Sequence, residues 1–231
     1  MSQLRAASHV PGSRLANLQG ALEVLDSLEL RWFFDNEDVP AQAFFAETAP
    51  EPSRVDDYLE TGRSDLGFKG RGEGTKVETK YLLGSLGVVQ LLPGVTGKLE
   101  RWRKLSLTVD DAELEKSGDW LHVEKVRRLR RYAFDGGKAS EVSPSAYPAA
   151  GCSVEFTALC CRAAGAPELH AWTLGFEAFG SRAWLLGVLQ ATCRAALDAG
   201  LRVNSGPTSS MSYPEWLFNR RTWQDAGASA R

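Results

Sequence analysis

Charged residues recur at every second position in several segments that otherwise have the composition of β-strands. Lys76, Glu78 and Lys80 are the clearest example, because side chains alternate along a strand and these three therefore share one face. The same spacing recurs in other basic pairs: Lys69 and Arg71, Arg101 and Arg103, Lys125 and Arg127. Basic side chains at this spacing can bind several oxygen atoms of one phosphorylated anion through charge-assisted hydrogen bonds.

Two glutamates stand alone inside apolar segments. Glu155 lies within CSVEFTAL and Glu177 lies within WTLGFEAFG. A carboxylate with apolar neighbours must be paired, hydrated or metal-bound to be tolerated. A closed barrel with a wet, charged interior would meet that requirement, with carboxylates available to hold a divalent metal ion.

A simpler interpretation assigns these charges to the solvated face of an ordinary sheet, where a cross-strand ion pair contributes about 0–1 kcal/mol. That interpretation accounts poorly for segments 100–104 and 124–131, in which both faces carry charge. The ten Phe and seven Trp residues would also suit a lipocalin-like carrier of an apolar ligand. The alternatives differ in one structural respect, because only a charged barrel directs these side chains into one cavity.

Short strands are the elements that would position the charged residues. Candidate strands cover residues 28–34, 54–60, 66–69, 76–83, 98–108, 120–134, 152–160 and 171–179, separated by glycine-rich turns. Asp135-Gly136-Gly137 is a strong turn signal. Many short strands with turns between them are typical of an antiparallel barrel or sandwich.

Few helices are predicted. One short helix is expected over residues 39–47 and one amphipathic helix over residues 182–200, while residues 15–26 form either a short helix or the lead into the first strand. Residues 1–14 are expected to be a loose tail, and residues 137–150 a loop. The chain after residue 202 is expected to be mostly irregular, with Tyr213, Trp216 and Leu217 packed onto the body. The remaining residues, 15–231, are expected to form a single, mainly β (α+β) domain. A chain of 231 residues is long enough to bury the core of such a domain.

Composition restricts the classes of partner. The chain has 27 basic and 29 acidic residues and a net charge of −2, so it lacks the global basic field of a nucleic-acid-binding protein. It has no apolar run of about 20 residues and no secretory signal, so we expect a cytoplasmic protein without a membrane anchor. The four cysteines lack C-x-x-C spacing, which favours free buried thiols over a zinc site.

Several of these segments resemble the CYTH, or triphosphate-tunnel, family. Asp56-Asp57-Tyr58-Leu59-Glu60-Thr61 is similar to the family's D-x-Y-[FYL]-D-T segment. Residues 66–71, 76–80 and 125–127 resemble its strands of alternating basic residues. The resemblance spans roughly residues 29–180, and it rests on strand order and charge pattern.

The resemblance implies an eight-stranded antiparallel barrel, or tunnel, that binds a triphosphate or another small phosphorylated anion and hydrolyses it with Mg²⁺ or Mn²⁺. The residues it implies as metal-binding and catalytic are Glu29, Glu155 and Glu177. Those it implies as phosphate-binding are Arg31, Lys69, Arg71, Lys80, Lys125 and Arg127. A homodimer is left open.

The first strand departs from the family pattern. Ser27-Leu28-Glu29-Leu30-Arg31 stands where the family has E-x-E-x-K, so serine replaces the first glutamate and arginine replaces the lysine. The first glutamate of the family helps to hold the metal. Its replacement keeps open the alternative of a barrel that binds a polyphosphate or a nucleotide without hydrolysing it.

Overall fold

The computed structural model describes residues 22–35, 39–71, 75–108, 120–163, 167–203 and 209–228. These ranges contain nine strands and three helices. In chain order they are β1 (Leu22–Phe34), α1 (Val39–Phe44), β2 (Arg54–Leu59), β3 (Leu66–Arg71), β4 (Lys76–Leu92), β5 (Val95–Thr108), β6 (Trp120–Asp135), β7 (Lys138–Val142), β8 (Gly151–Arg162), β9 (Leu169–Phe179), α2 (Leu185–Asp198) and α3 (Tyr213–Ala228).

Eight of the described strands close into a ring. The order around it is β2-β3-β4-β5-β1-β9-β8-β6, every pairing is antiparallel, and β2 pairs with β6 to complete the circle. β7 extends β6 outside the ring through a turn at Gly136 and Gly137, whose φ values of 53° and 81° favour glycine. The prediction of a mainly antiparallel β fold with few helices is therefore confirmed, in a tunnel-like arrangement.

The larger apolar core lies outside this ring. On β1, Leu28, Leu30 and Trp32 face outwards, because they alternate with the polar residues of the inward face. They pack with the outward residues of β8 and β9 and with one side of α2, which contributes Val188 and Leu189. The predicted helix over residues 182–200 is thus confirmed as α2, and its apolar stripe has the expected helical spacing.

The first turns of α3 close one end of the ring. Trp216 stacks on Phe33 with ring centroids 4.7 Å apart, and it shares a buried cluster with inward residues of β1, β2, β6, β8 and β9. Lys98 on β5 joins α3 to the wall through Glu215, 2.7 Å away. Pro214 lies so close to Gly67 on β3 that an added Cβ there would come within 3.1 Å of its ring. The ring is therefore a cup with one blocked end.

Two expectations about secondary structure were wrong, and one strand is longer than expected. The chain after residue 202 is not irregular throughout, since α3 covers Tyr213–Ala228; the packing of Tyr213, Trp216 and Leu217 onto the body is confirmed. The expected loop over residues 137–150 contains β7, and the strand expected over residues 76–83 continues to Leu92 through register shifts. Residues 1–14 lie outside the described part of the chain, as do residues 15–21. Across the described residues, no helix has both the length and the apolar character needed to cross a membrane.

Truncating the core side of α2 should destabilise the fold strongly. Leu189 is 0% exposed whereas Leu186 on the same helix is 45% exposed. We expect Leu189→Ala to lower the free energy of unfolding by about 2–5 kcal/mol, because it removes buried methyl groups and leaves a cavity. Guanidinium unfolding monitored by circular dichroism measures this difference. Leu186→Ala is the matched control, and equal effects of the two variants would contradict the assignment of the core to the outer side of the ring.

Candidate functional site

The ring encloses a cavity of about 510 Å³ whose wall is predominantly basic. Ten of its described lining residues are basic: Arg31, Arg54, Lys69, Arg71, Lys76, Lys80, Lys104, Lys125, Arg127 and Arg131. Four are acidic: Glu23, Glu78, Glu155 and Glu177. Since the whole chain has a net charge of −2, the positive charge is concentrated in this cavity and not spread over the molecule.

The sheet register brings the residues singled out from the sequence to this one interior. Those that line the cavity are Arg31, Lys69, Arg71, Lys80, Lys125, Arg127, Glu155 and Glu177. Glu29 is on the same face of β1 as Arg31 and forms an ion pair with Lys80, 2.5 Å away. The expected convergence into one cavity is present, while the individual roles of these residues remain predictions.

Asp56 on β2 is the most heavily paired carboxylate of the interior. It is fully buried and lies within 4.0 Å of four cations: Arg54 at 3.6 Å, Lys69 at 3.3 Å, Arg71 at 3.1 Å and Lys125 at 3.0 Å. Burial alone would raise the pKa of Asp56, but Lys125, Lys69 and the two arginines hold it well below its usual range. The side chain is therefore ionised, and it joins β2 to β3 and β6. Sequence reasoning did not assign it a role, although it lies in the segment that resembles the family.

Glu78 on β4 shares two of these cations. Its Oε2 atom lies 2.7 Å from Lys69 and 3.1 Å from Arg71. Burial alone would raise the pKa of Glu78, but Lys69 and Arg71 lower it to about 2. Lys69 and Arg71 are thus held between two carboxylates, which orients their side chains in the wall.

Arg31 and Glu155 form the central pair on the opposite wall. Arg31 donates to Glu155 and, over 3.2 Å, to Thr173, while Arg127 reaches the other oxygen of Glu155 over 3.1 Å. Burial alone would raise the pKa of Glu155, but the two arginines hold it well below its usual range. The guanidinium of Arg31 lies across Gly175, where an added Cβ would come within 2.5 Å of it. Glycine at that position therefore makes room for Arg31.

Glu29 and Glu177 are direct neighbours across β1 and β9. Ser27 donates a hydrogen bond of 2.6 Å to Glu29, so the serine that departs from the family pattern supports the remaining glutamate. Burial alone would raise the pKa of Glu177, but nearby Lys80 and Lys104 lower it. Carboxylate oxygens are ligands that Mg²⁺ prefers. However, the ligand atoms of Glu29, Glu155 and Glu177 do not gather within 4.8 Å of one another, so their metal role remains a prediction.

Lys125 forms the floor of the cavity together with two tyrosines. Its Nζ atom lies 2.7 Å from the Tyr58 hydroxyl, 3.0 Å from Asp56 and 4.2 Å from the ring centroid of Tyr213 on α3. Burial lowers the pKa of Lys125 to about 7, against the opposing effect of Asp56. Tyr213 was expected only to pack onto the body, and its position beside Lys125 follows from the way α3 enters the ring.

The mouth of the cavity carries an aromatic and cationic group that sequence reasoning missed. Arg131 on β6 lies 4.7 Å from the ring centroid of Tyr147 and 5.8 Å from that of Phe179. Tyr147 is 85% exposed and lines the cavity, so it stands at the entrance. The alternation along residues 124–131 predicts that Arg131 shares a face with Lys125 and Arg127, but an exposed or paired side chain was expected there.

Comparisons with known proteins leave the family open. No family model and no curated protein matches the chain. Among solved structures, the chain is similar to the S. pombe Pct1 RNA triphosphatase in complex with the Spt5 CTD, with 9% sequence identity and a TM-score of 0.29 over 90% of this chain and 84% of that one. A likeness this weak shows neither a shared family nor a shared activity, and the description of the fold rests on the strand pairing.

Removal of one interior carboxylate should change the acid sensitivity of the protein. Folding lowers the pKa of Glu78 from 4.5 to about 2, so its contribution to stability is fully present above pH 4.5 and is lost as the pH falls to 2. The shift corresponds to a contribution on the order of 3 kcal/mol. We expect Glu78→Gln to be less stable at pH 7 and to lose less further stability between pH 4.5 and pH 2, as measured by urea unfolding.

Glu141→Gln is the control for that experiment, because Glu141 pairs with Arg130 on the exposed surface. It should reproduce the pH dependence of the wild type. Equal loss of stability in acid for Glu78→Gln and the wild type would show that Glu78 is not held by Lys69 and Arg71.

Proposed function

We propose that this protein binds a small phosphorylated anion, of the triphosphate type, inside the ring. The excess of basic over acidic side chains in the wall of the cavity supports this proposal most directly. A cavity of about 510 Å³ falls within the range of about 300–1,000 Å³ in which small-molecule ligands are bound. Arginine and lysine side chains match phosphate oxygens through charge-assisted hydrogen bonds.

The cost of crowding cations favours a ligand with several negative charges. The Asp56 and Glu78 carboxylates offset only part of the charge of the surrounding lysines and arginines, and the low pKa of Lys125 reflects the burial of its ammonium group. An anion with several phosphate groups would stabilise these cations together. The wall is already ordered by ion pairs, so little side-chain entropy remains to be lost on binding.

A carrier of apolar ligands fits the same observations less well. The larger apolar core of β1, β8 and β9 faces outwards against α2, and most of the residues that line the cavity are charged. An apolar ligand in the ring would strip water from charged groups without replacing its hydrogen bonds, which is costly.

Metal-dependent hydrolysis of the bound phosphate is a second candidate. Glu177 supports it, because it faces the cavity beside Glu29 and forms no ion pair within 4.0 Å with the described residues. The donor set fits only in part, since Lys80 already holds Glu29 and two arginines hold Glu155. A bound Mg²⁺ or Mn²⁺ would neutralise charge on the transferred phosphoryl group. Glu177 and Glu29 are the residues that would hold it, and the basic wall would orient the phosphate chain.

Ligand binding should depend on the face of the strand from which a charge is removed. Lys104 on β5 lines the cavity, while the adjacent Arg103 faces outwards and pairs with Asp26 over 2.6 Å. We expect Lys104→Gln to weaken the binding of inorganic tripolyphosphate by about tenfold, the effect of losing one charge-assisted hydrogen bond. Isothermal titration calorimetry measures the dissociation constant.

Arg103→Gln is the matched control for Lys104→Gln, because it removes the same charge one residue away. Its dissociation constant should remain within about twofold of the wild type. The proposal fails if the wild type does not bind tripolyphosphate, or if the two variants weaken binding equally.

The hydrolytic candidate has its own test. If the protein is an enzyme, it releases phosphate from tripolyphosphate or ATP in the presence of Mg²⁺ or Mn²⁺, and Glu177→Gln lowers the rate by at least about a hundredfold while the protein still binds the ligand. A malachite green assay measures the release. Binding without release by the wild type would identify a binding protein and exclude the hydrolytic candidate for those compounds.

A further inference from the structure

The outer surface of the ring carries a second group of side chains whose types can bind metal ions. Cys160 on β8 is the direct cross-strand partner of His170 on β9, and Glu168 lies two residues before His170, so all three point to the same side. One ligand atom from each residue lies within 4.8 Å of the other two. Among the described residues, this is the single group of three metal-binding side chains that meets that limit.

The carboxylate of Glu168 is already oriented towards this point. Arg162 donates to its Oε2 atom over 2.8 Å, and Arg162 is in turn held by Glu124 on β6 over 3.1 Å. The other oxygen, Oε1, lies 3.0 Å from Nε2 of His170. Partners of this kind commonly fix the orientation of metal-binding carboxylates and imidazoles.

Cys160 also differs from the other cysteines. All four are free, but Cys152, Cys161 and Cys193 are buried, as the sequence predicted, whereas Cys160 is partly exposed. The expectation of buried thiols is therefore wrong for this one residue. Its exposure leaves the thiol accessible to a metal ion from solvent, on the side of β8 opposite to the side that carries Glu155.

We propose that Cys160, Glu168 and His170 bind a divalent transition-metal ion, with Zn²⁺ the best match, outside the cavity. A thiolate, an imidazole and a carboxylate form a ligand set that suits zinc, and a water molecule would complete the tetrahedron. On binding, the Cys160 thiol loses its proton to solvent and its sulfur bonds to the metal, while His170 binds as the neutral imidazole.

The geometry requires only small adjustments. Ligand atoms about 2.0–2.3 Å from a tetrahedral zinc ion lie about 3.5 Å apart, so the present spacing closes by rotation of exposed side chains. Because the strands are held in register by the ladder between β8 and β9, the backbone need not move. The bound ion would tie together the two strands that carry Glu155 and Glu177 on their other faces. This site does not depend on what the cavity binds.

Cobalt substitution tests the proposal, because Co²⁺ takes the place of Zn²⁺ and a cysteine thiolate bound to it gives a charge-transfer absorption band. We expect the full chain to take up one equivalent of Co²⁺ with such a band, which Zn²⁺ then abolishes. Cys160→Ser should remove the band, and His170→Ala should weaken cobalt binding by at least about tenfold. Circular dichroism confirms that the variants are folded.

His122→Ala is the matched control, since His122 is an exposed histidine on β6 that pairs with Asp57. It should bind Co²⁺ as the wild type does. The proposal is overturned if the wild type shows no thiolate band, if the band persists in Cys160→Ser, or if His122→Ala and His170→Ala lose binding equally.

Discussion

The need to pair charges inside a closed ring of strands governs this structure. A buried, unpaired charge costs several kcal/mol, and eight of the ten described basic residues that line the cavity lie within 4.0 Å of a carboxylate. Asp56 meets this need for four cations, and it does so at the place where β2 and β6 close the ring. Ring closure and charge pairing therefore depend on the same residue. A shift of one register position on either strand would turn Asp56 away from Lys125.

The charged interior also explains where the apolar core lies. Because ions occupy much of the inside of the ring, only a smaller apolar cluster is buried there, and the outward face of β1, β8 and β9 needs a cover. α2 provides it with an amphipathic stripe that includes Val188 and Leu189. The result is two layers of opposite character on a single sheet. On β1, for example, a substitution at Leu30 changes the packing of the core, whereas a substitution at the adjacent Arg31 changes the charge of the cavity.

Sequence periodicity anticipated the side on which charges lie, and it did so because alternation along a strand is a local property. Lys69, Arg71, Lys125 and Arg127 were placed correctly for that reason. Pairing between strands is not local, and the contact of Asp56 with Lys125 depends on it, so no role could be predicted for Asp56. The Cys160 group was missed for the same reason, since Cys160 and His170 meet only through the register of β8 and β9.

The helix α3 shows a different limit of sequence reading. Tyr213, Trp216 and Leu217 have helical spacing, and Ser212 and Pro214 stand where a helix begins, with Ser212 accepting a weak hydrogen bond from the Glu215 amide over 3.5 Å. These signals were available in the sequence. That the helix would enter the ring was not, because it depends on Phe33 and Gly67, which lie far away along the chain.

The position of α3 has a topological consequence. A tube open at both ends could hold the middle of a long polymer, which would pass through it. A blind-ended cup admits only a terminus, and whatever enters must leave by the way it came. With Trp216 closing one end and Tyr147 standing at the other, the charged interior is reached from one side of the ring only.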